Sequence, residues 1–121
     1  MVSVLDTTLR EGEQTPGVYF DAHIKEAIAR LLDEVGVDFI EAGHPAVSEP
    51  IGEAVARISN IGLNARVGAH SRSLIRDVDQ ALNCGVSFLG IFYCVSDNRL
   101  NNVFRKDLGS AVEQICEAIA Y

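Results

Sequence analysis

Short apolar runs alternate with amphipathic stretches along the whole chain, and that alternation predicts four βα units around a parallel sheet. Val2, Val4 and Leu5 mark a first strand ending at Asp6-Thr7-Thr8. From about Asp21, a suitable N-cap, Ile24, Ala27, Ile28, Leu31, Leu32 and Val35 recur at i, i+3, i+4 spacing, so a helix is expected with that stripe inward. Gly36 supplies its left-handed stop. The second strand is expected from Val37 to Ala42. A helix with Pro50 in its first turn then carries Ile51, Ala54, Val55 and Ile58 on one face and closes at Gly62. The third unit reads as a strand from Leu63 to Ala69 and a helix with Leu74, Ile75, Val78, Ala81 and Leu82 inward, ended by Gly85. A fourth strand spans Val86 to Val95, and a last helix from about Asp107 turns Leu108, Ala111, Val112, Ile115, Ala118 and Ile119 inward.

Three helix-to-strand junctions share one grammar, Gly36-Val37, Gly62-Leu63 and Gly85-Val86, and the strings GVDFIEAG and GVSFLGIF are near copies. Such repetition fits a barrel of equal units. A doubly wound open sheet would instead lead from its first strand into a glycine-rich phosphate turn, whereas this chain continues as LREGEQTPGVYF. A (β/α)₈ barrel takes about 250 residues. The expected fold is therefore α/β, the N-terminal half of a TIM barrel, with residues 1–121 forming one partial-barrel domain. Its first and fourth strands would be open edges, so the remainder of the barrel or a second subunit is an expected partner, and a homo-oligomer is expected.

Composition changes the picture only by exclusion. With 48% hydrophobic and 22% charged residues the chain falls outside the disordered and membrane classes. No apolar run reaches a membrane span, and Val2 to Leu5 is too short for a signal peptide, which makes a cytoplasmic location the expectation. Net charge is −7 without runs of one sign, so neither nucleic acid nor an anionic membrane is an expected partner. A small molecule is. Cys84, Cys94 and Cys116 are odd in number and lack a CxxC, which argues against a disulfide framework or zinc site; they read as buried thiols.

Chemistry-bearing residues gather where each expected strand ends: Asp6, Thr7, Arg10, Glu11 and Gln14, then Glu41 and His44, then His70 and Arg72, then Ser96 and Asp97. In parallel α/β sheets that edge binds the ligand. Carboxylates, imidazoles and guanidiniums there can hold a hard divalent cation together with a carboxylate-bearing substrate. Taken singly, an Arg or Glu of this set reads as a solvated loop charge, His44 as a structural turn residue, and His23 as part of a solvated helix face. His70 reads equally as a satisfied strand-end histidine. Glu41 differs, because a carboxylate inside the apolar DFIEAG needs a partner or a ligand.

The run Asp6-Thr7-Thr8-Leu9-Arg10-Glu11-Gly12-Glu13-Gln14-Thr15-Pro16-Gly17-Val18 resembles the opening signature of the DRE-TIM metallolyase superfamily, in particular its Claisen-condensing branch of homocitrate, isopropylmalate and citramalate synthases. The likeness continues through FIEAGHPAVSE, NARVGAHSRS and CGVSFLGIFYCVSDNRL, nearly the whole chain. It implies an acyltransferase of amino-acid biosynthesis that condenses acetyl-CoA with a 2-oxo acid, 2-oxoglutarate first, using Mg²⁺, Mn²⁺ or Zn²⁺. By resemblance, Glu11 binds the metal and Arg10 polarises the 2-oxo group and is catalytic. Gln14, Glu41 and Ser96 line the substrate region, and His70, with Arg72 beyond it, meets a distal carboxylate. An aspartate that lysine-pathway homocitrate synthases carry near Gly90 is missing, and the stretch around VSD is closer to the nitrogen-fixation enzymes. The metal-binding HxH pair and the catalytic acid and base of the family are not in these 121 residues, so the isolated chain is expected to be inactive. Isopropylmalate or citramalate synthesis, a hydroxyacyl-CoA lyase of the same superfamily, and an inactive half-barrel module needing a partner are the alternatives. Glu11, where lyases more often have aspartate, and the GEQTPGV continuation disfavour the lyase.

Overall fold

The computed structural model describes residues 2–121. Four strands, β1 (Leu5–Asp6), β2 (Phe39–Glu41), β3 (Arg66–Arg72) and β4 (Phe88–Phe92), form one parallel sheet in the order β1-β2-β3-β4. Helices α1 (Ala22–Val35), α2 (Glu49–Ser59) and α3 (Ile75–Asn83) connect successive strands. After β4 come a short helix α4 (Asp97–Arg99), a π-helical turn (Leu100–Phe104) and α5 (Leu108–Ala120). Consecutive parallel pairing with a helix in each crossover is the topology that the four-unit pattern predicts.

Local signals set the helix ends. Asp21 accepts hydrogen bonds from the amides of His23 and Ile24, Gly36 ends α1 in the left-handed conformation, and Asp107 accepts from Ser110 N at the start of α5. The core lies between the sheet and α1 to α3, where Ile40, Val67 and Ala69 of the strands meet Ala29, Val55, Ile58 and Ala81 of the helices. Strand alternation then turns Phe39, Glu41, Gly68, His70, Phe88, Gly90 and Phe92 to the opposite, concave face. No described helix is long and apolar enough to cross a membrane.

Several expectations are corrected. The buried stripe of α1 is Lys25 and Ala29, flanked by the half-buried Ile28 and Leu32, while Ile24, Ala27, Leu31 and Val35 are exposed. Rotation of the stripe by one residue brings an ammonium inward, which apolar periodicity alone could not indicate. Leu82 of α3 and Leu108, Val112 and Ile119 of α5 are likewise exposed. The third strand starts at Arg66 rather than Leu63, because Asp33 of α1 accepts from Ala65 N (2.6 Å) and Asn64 Nδ2 (3.1 Å) and holds that segment against the helix. The strand runs on to Arg72, so His70 lies within it and not beyond it. The first, second and fourth strands are shorter than expected, and the helical stretch from Asp97 to Phe104 had no counterpart in the pattern. Only Cys84 of the three thiols is buried; Cys94 and Cys116 are exposed.

Candidate active site

Arg10, Glu41 and His70 converge on the concave face at the carboxyl ends of β2 and β3. Glu41, 6% exposed, accepts from Arg10 Nε at Oε2 (2.8 Å), and its Oε1 lies 3.0 Å from His70 Nδ1. Arg10 also forms an ion pair through Nη1 with the exposed Glu11. A buried carboxylate between a guanidinium and an imidazole satisfies its lone pairs and fixes both partners' orientation. The arginine reaches this point because Leu9, fully buried, anchors the segment after β1, and the amides of Arg10 (3.1 Å) and Glu11 (2.7 Å) both turn onto Thr7 O. Gly90 leaves the remaining side of the group open: a Cβ there would stand 3.5 Å from Glu41 Oε1 and 3.9 Å from His70 Nδ1.

The other expected residues are distributed around this group. Gln14 is exposed and lines, with Arg10, Glu13, Gly43 and His44, a cleft of about 710 Å³. Arg72 does not join the Glu41 group; its Nε donates to Asp77 Oδ2 at 2.5 Å, and it faces a separate cleft of about 480 Å³ lined by Phe92, Tyr93 and Phe104. Asp77 at the start of α3 captures the guanidinium before it can reach inward. Ser96 is exposed at the start of α4, with Cys94 Sγ 3.8 Å from its hydroxyl, and makes no hydrogen bond to Arg10, Glu41 or His70. Among the described residues no three His, Cys, Asp or Glu side chains gather as a metal centre.

The HMGL-like family model matches residues 1–121. This chain belongs to the HMGL-like family. Similar relatives include the homocitrate synthases of Pyrococcus abyssi, 53% identical over 98% of this chain and 33% of that protein, and of Pyrococcus horikoshii, 48% identical over the same shares. The homocitrate synthase AksA of Methanopyrus kandleri is 47% identical over 99% of this chain and 30% of its own length. The chain thus spans about a third of the length of the curated relatives it matches. Among solved structures, the HMG-CoA lyase of Bacillus subtilis superposes with a TM-score of 0.76 at 17% identity, over 98% of this chain and 41% of that one. The likeness gives this chain the fold of half of a (β/α)₈ barrel.

In this HMGL-like half-barrel, pattern reading missed two buried charges, Lys25 and Asp77, both 1% exposed. Each lies on its helix's inward face, one turn before the buried Ala29 or Ala81, and spacing alone does not separate it from a solvated charge. Burial pushes Asp77 up, but the Arg72 hydrogen bond and the charges of Arg72, His44 and Arg76 outweigh it and hold the carboxyl below its usual range. His44 Nε2 lies 3.7 Å from Asp77 Oδ2, and its ring packs edge-on against His70 and Phe92.

Burial, then the neighbouring His70, pulls His44 below the ordinary value of 6.5, with Asp77 opposing. The folded chain therefore binds this proton less readily than the unfolded one. The stability His44 contributes is fully present above pH 6.5 and is lost as pH falls through its lowered folded value. Denaturation curves from pH 7.5 to 5 should show wild type losing stability faster than His44→Gln. Equal slopes would dismiss the histidine as the source.

Proposed function

We propose that this chain supplies the acceptor-binding half of an enzyme that condenses acetyl-CoA with a 2-oxo acid, with 2-oxoglutarate as the acceptor. The observation that carries the reading is Glu41 bridging Arg10 and His70 on the concave face of the sheet. Its support is threefold: the family match, the homocitrate synthase relatives, and a buried acid–base group at the edge where parallel α/β sheets bind ligands. Residues 1–121 act in this proposal as one partial-barrel unit completed by further chain or a second subunit.

In the reaction a methyl proton leaves acetyl-CoA, the resulting enolate attacks the carbonyl carbon of the 2-oxo acid, and water cleaves the thioester. The residues of this chain serve the acceptor. Arg10 has Nε committed to Glu41 and Nη1 to Glu11, which leaves Nη2 to donate to the carbonyl oxygen as negative charge arrives there. Glu41 fixes the plane of that guanidinium, so the donor is in place before the charge develops. His70, oriented from behind by the same carboxylate, presents its other ring nitrogen to the acceptor's distal carboxylate. Glu11 is the carboxylate that the resemblance gives to a divalent cation, but one exposed carboxylate paired with arginine is not a site of several hard ligands. The residues present do not by themselves fit the metal.

The complete enzyme carrying this chain, given acetyl-CoA and 2-oxoglutarate, should release CoA thiol only when both are present, with homocitrate identified by mass spectrometry. Release with pyruvate or 2-oxoisovalerate but not 2-oxoglutarate would move the assignment to citramalate or isopropylmalate chemistry. Cleavage of a hydroxyacyl-CoA without condensation would overturn it in favour of a lyase.

A further inference from the structure

Among the described residues Lys25 is the bulkiest fully buried side chain, on the helix face that packs against the sheet. Withdrawing an ammonium from water is unfavourable by several kcal/mol unless it is paired and hydrogen-bonded, and an aliphatic side chain would fill the space more stably. Its partners indicate what the lysine does. Nζ donates to Glu13 Oε2 at 2.6 Å and to Leu9 O at 3.1 Å, and both acceptors belong to the loop that joins β1 to α1. Glu13 Oε1 in turn accepts from Phe20 N at 3.3 Å, so one carboxylate ties the middle of the loop to its end and to the helix.

The Leu9 carbonyl is part of the peptide leading into Arg10, so fixing it fixes the origin of the Arg10 side chain and the aim of its fork at Glu41. Lys25 also reaches the end of β2. A Cβ on Gly43, two residues beyond Glu41, would stand 3.0 Å from Val55 Cγ2 and 3.2 Å from Ile51 Cγ2, so the glycine lets α2 close on the strand end, and Nζ lies 3.9 Å from the same point. One buried cation thus holds the segment that carries Arg10 and lies beside the end of the strand that carries Glu41.

We propose that Lys25, through Glu13 and the Leu9 carbonyl, is a positioning residue that holds the β1–α1 loop so that Arg10 meets the acceptor; this rests on the condensation reading above. Lys25 touches neither substrate nor reacting atoms in this proposal. Its effect is transmitted through the backbone of residues 9–13.

Two readouts test it. Hydrogen exchange on the complete enzyme asks whether Lys25→Met loosens the loop: amides of residues 9–20 should exchange at least about tenfold faster, with those of β2 and β3 unchanged. Kinetics in the complete enzyme ask whether the loosening matters. Lys25→Met should lower kcat/KM for the 2-oxo acid by about tenfold or more and leave KM for acetyl-CoA unaltered. The double variant Lys25→Met/Glu13→Gln removes the unpaired carboxylate, so it should regain melting temperature lost in the single variant but not regain kcat/KM. Lys25→Arg, which keeps charge and donors, should recover part of the rate. Recovery of rate together with stability in the double variant would reduce Lys25 to a structural ion and overturn the proposal, as would unchanged exchange and rate in Lys25→Met. Glu13→Gln alone reads the same two quantities if Lys25→Met does not fold. A wild-type enzyme that condenses no 2-oxo acid defeats the functional reading, while the exchange measurement still decides whether the clamp orders the loop.

Discussion

Alanine at position 41 should cost roughly 3 kcal/mol of stability and about a hundredfold or more in condensation rate. The stability loss follows from what remains: Arg10 and His70, each about one-fifth exposed, lose the acceptor that balances them, and a cation is left in a partly desolvated pocket. The rate loss has a different origin, since Glu41 sets the direction of the Arg10 fork, and a displacement of about 1 Å in such a donor costs on the order of a hundredfold. Glu41→Gln separates the two. The amide keeps the shape and one acceptor, so denaturant titration should find most of the stability retained while the rate remains depressed. Full activity in either variant would remove Glu41 from the acceptor site.

His70 carries the second large effect, on substrate choice. A charge-assisted hydrogen bond to the distal carboxylate of 2-oxoglutarate is worth roughly 1.5 to 3 kcal/mol, so His70→Ala should lower use of that acid by roughly tenfold to a hundredfold. Pyruvate and 2-oxoisovalerate, which lack that carboxylate, should be affected much less. The alternative role, a histidine that merely props Glu41, predicts equal loss with all three acids, because then only Arg10 positioning suffers. Steady-state kinetics on the three acids with wild type and variant distinguishes them, and parallel declines would end the case for 2-oxoglutarate.

The legible parts of this fold are those governed by neighbours in sequence. Asp21 as N-cap, Gly36 as a left-handed terminator, Pro50 in a first turn and the repeated glycine-to-strand junctions act within a few residues, so the pattern carries them. The strand-end clustering of Arg10, Glu41 and His70 was equally visible, because parallel crossovers bring every carboxyl end to one edge. What escaped depends on distant partners. Lys25 counts as polar in any periodicity, yet Glu13 and Leu9 allow it to be buried. Arg72 has the right residue type and the right strand face, but Asp77, five positions on, claims it. Ile24, Leu31 and Val35 fit an inward stripe by spacing while the helix turns Lys25 and Ala29 to the sheet instead.

The bonds from Asp33 to residues 64 and 65 decide where this chain can change length without harm. Upstream of that tie, around Asn60 to Leu63, an extra residue is taken up by a surface turn and leaves β3 in register. Downstream, between Arg66 and His70, a single insertion would turn His70 from the concave face to the helix side, because side chains alternate with a period of two. The tie therefore works as a datum from which the position of His70 is counted, and the four-residue step from Arg66 to His70 is a measured distance whose even parity keeps the imidazole on the concave face.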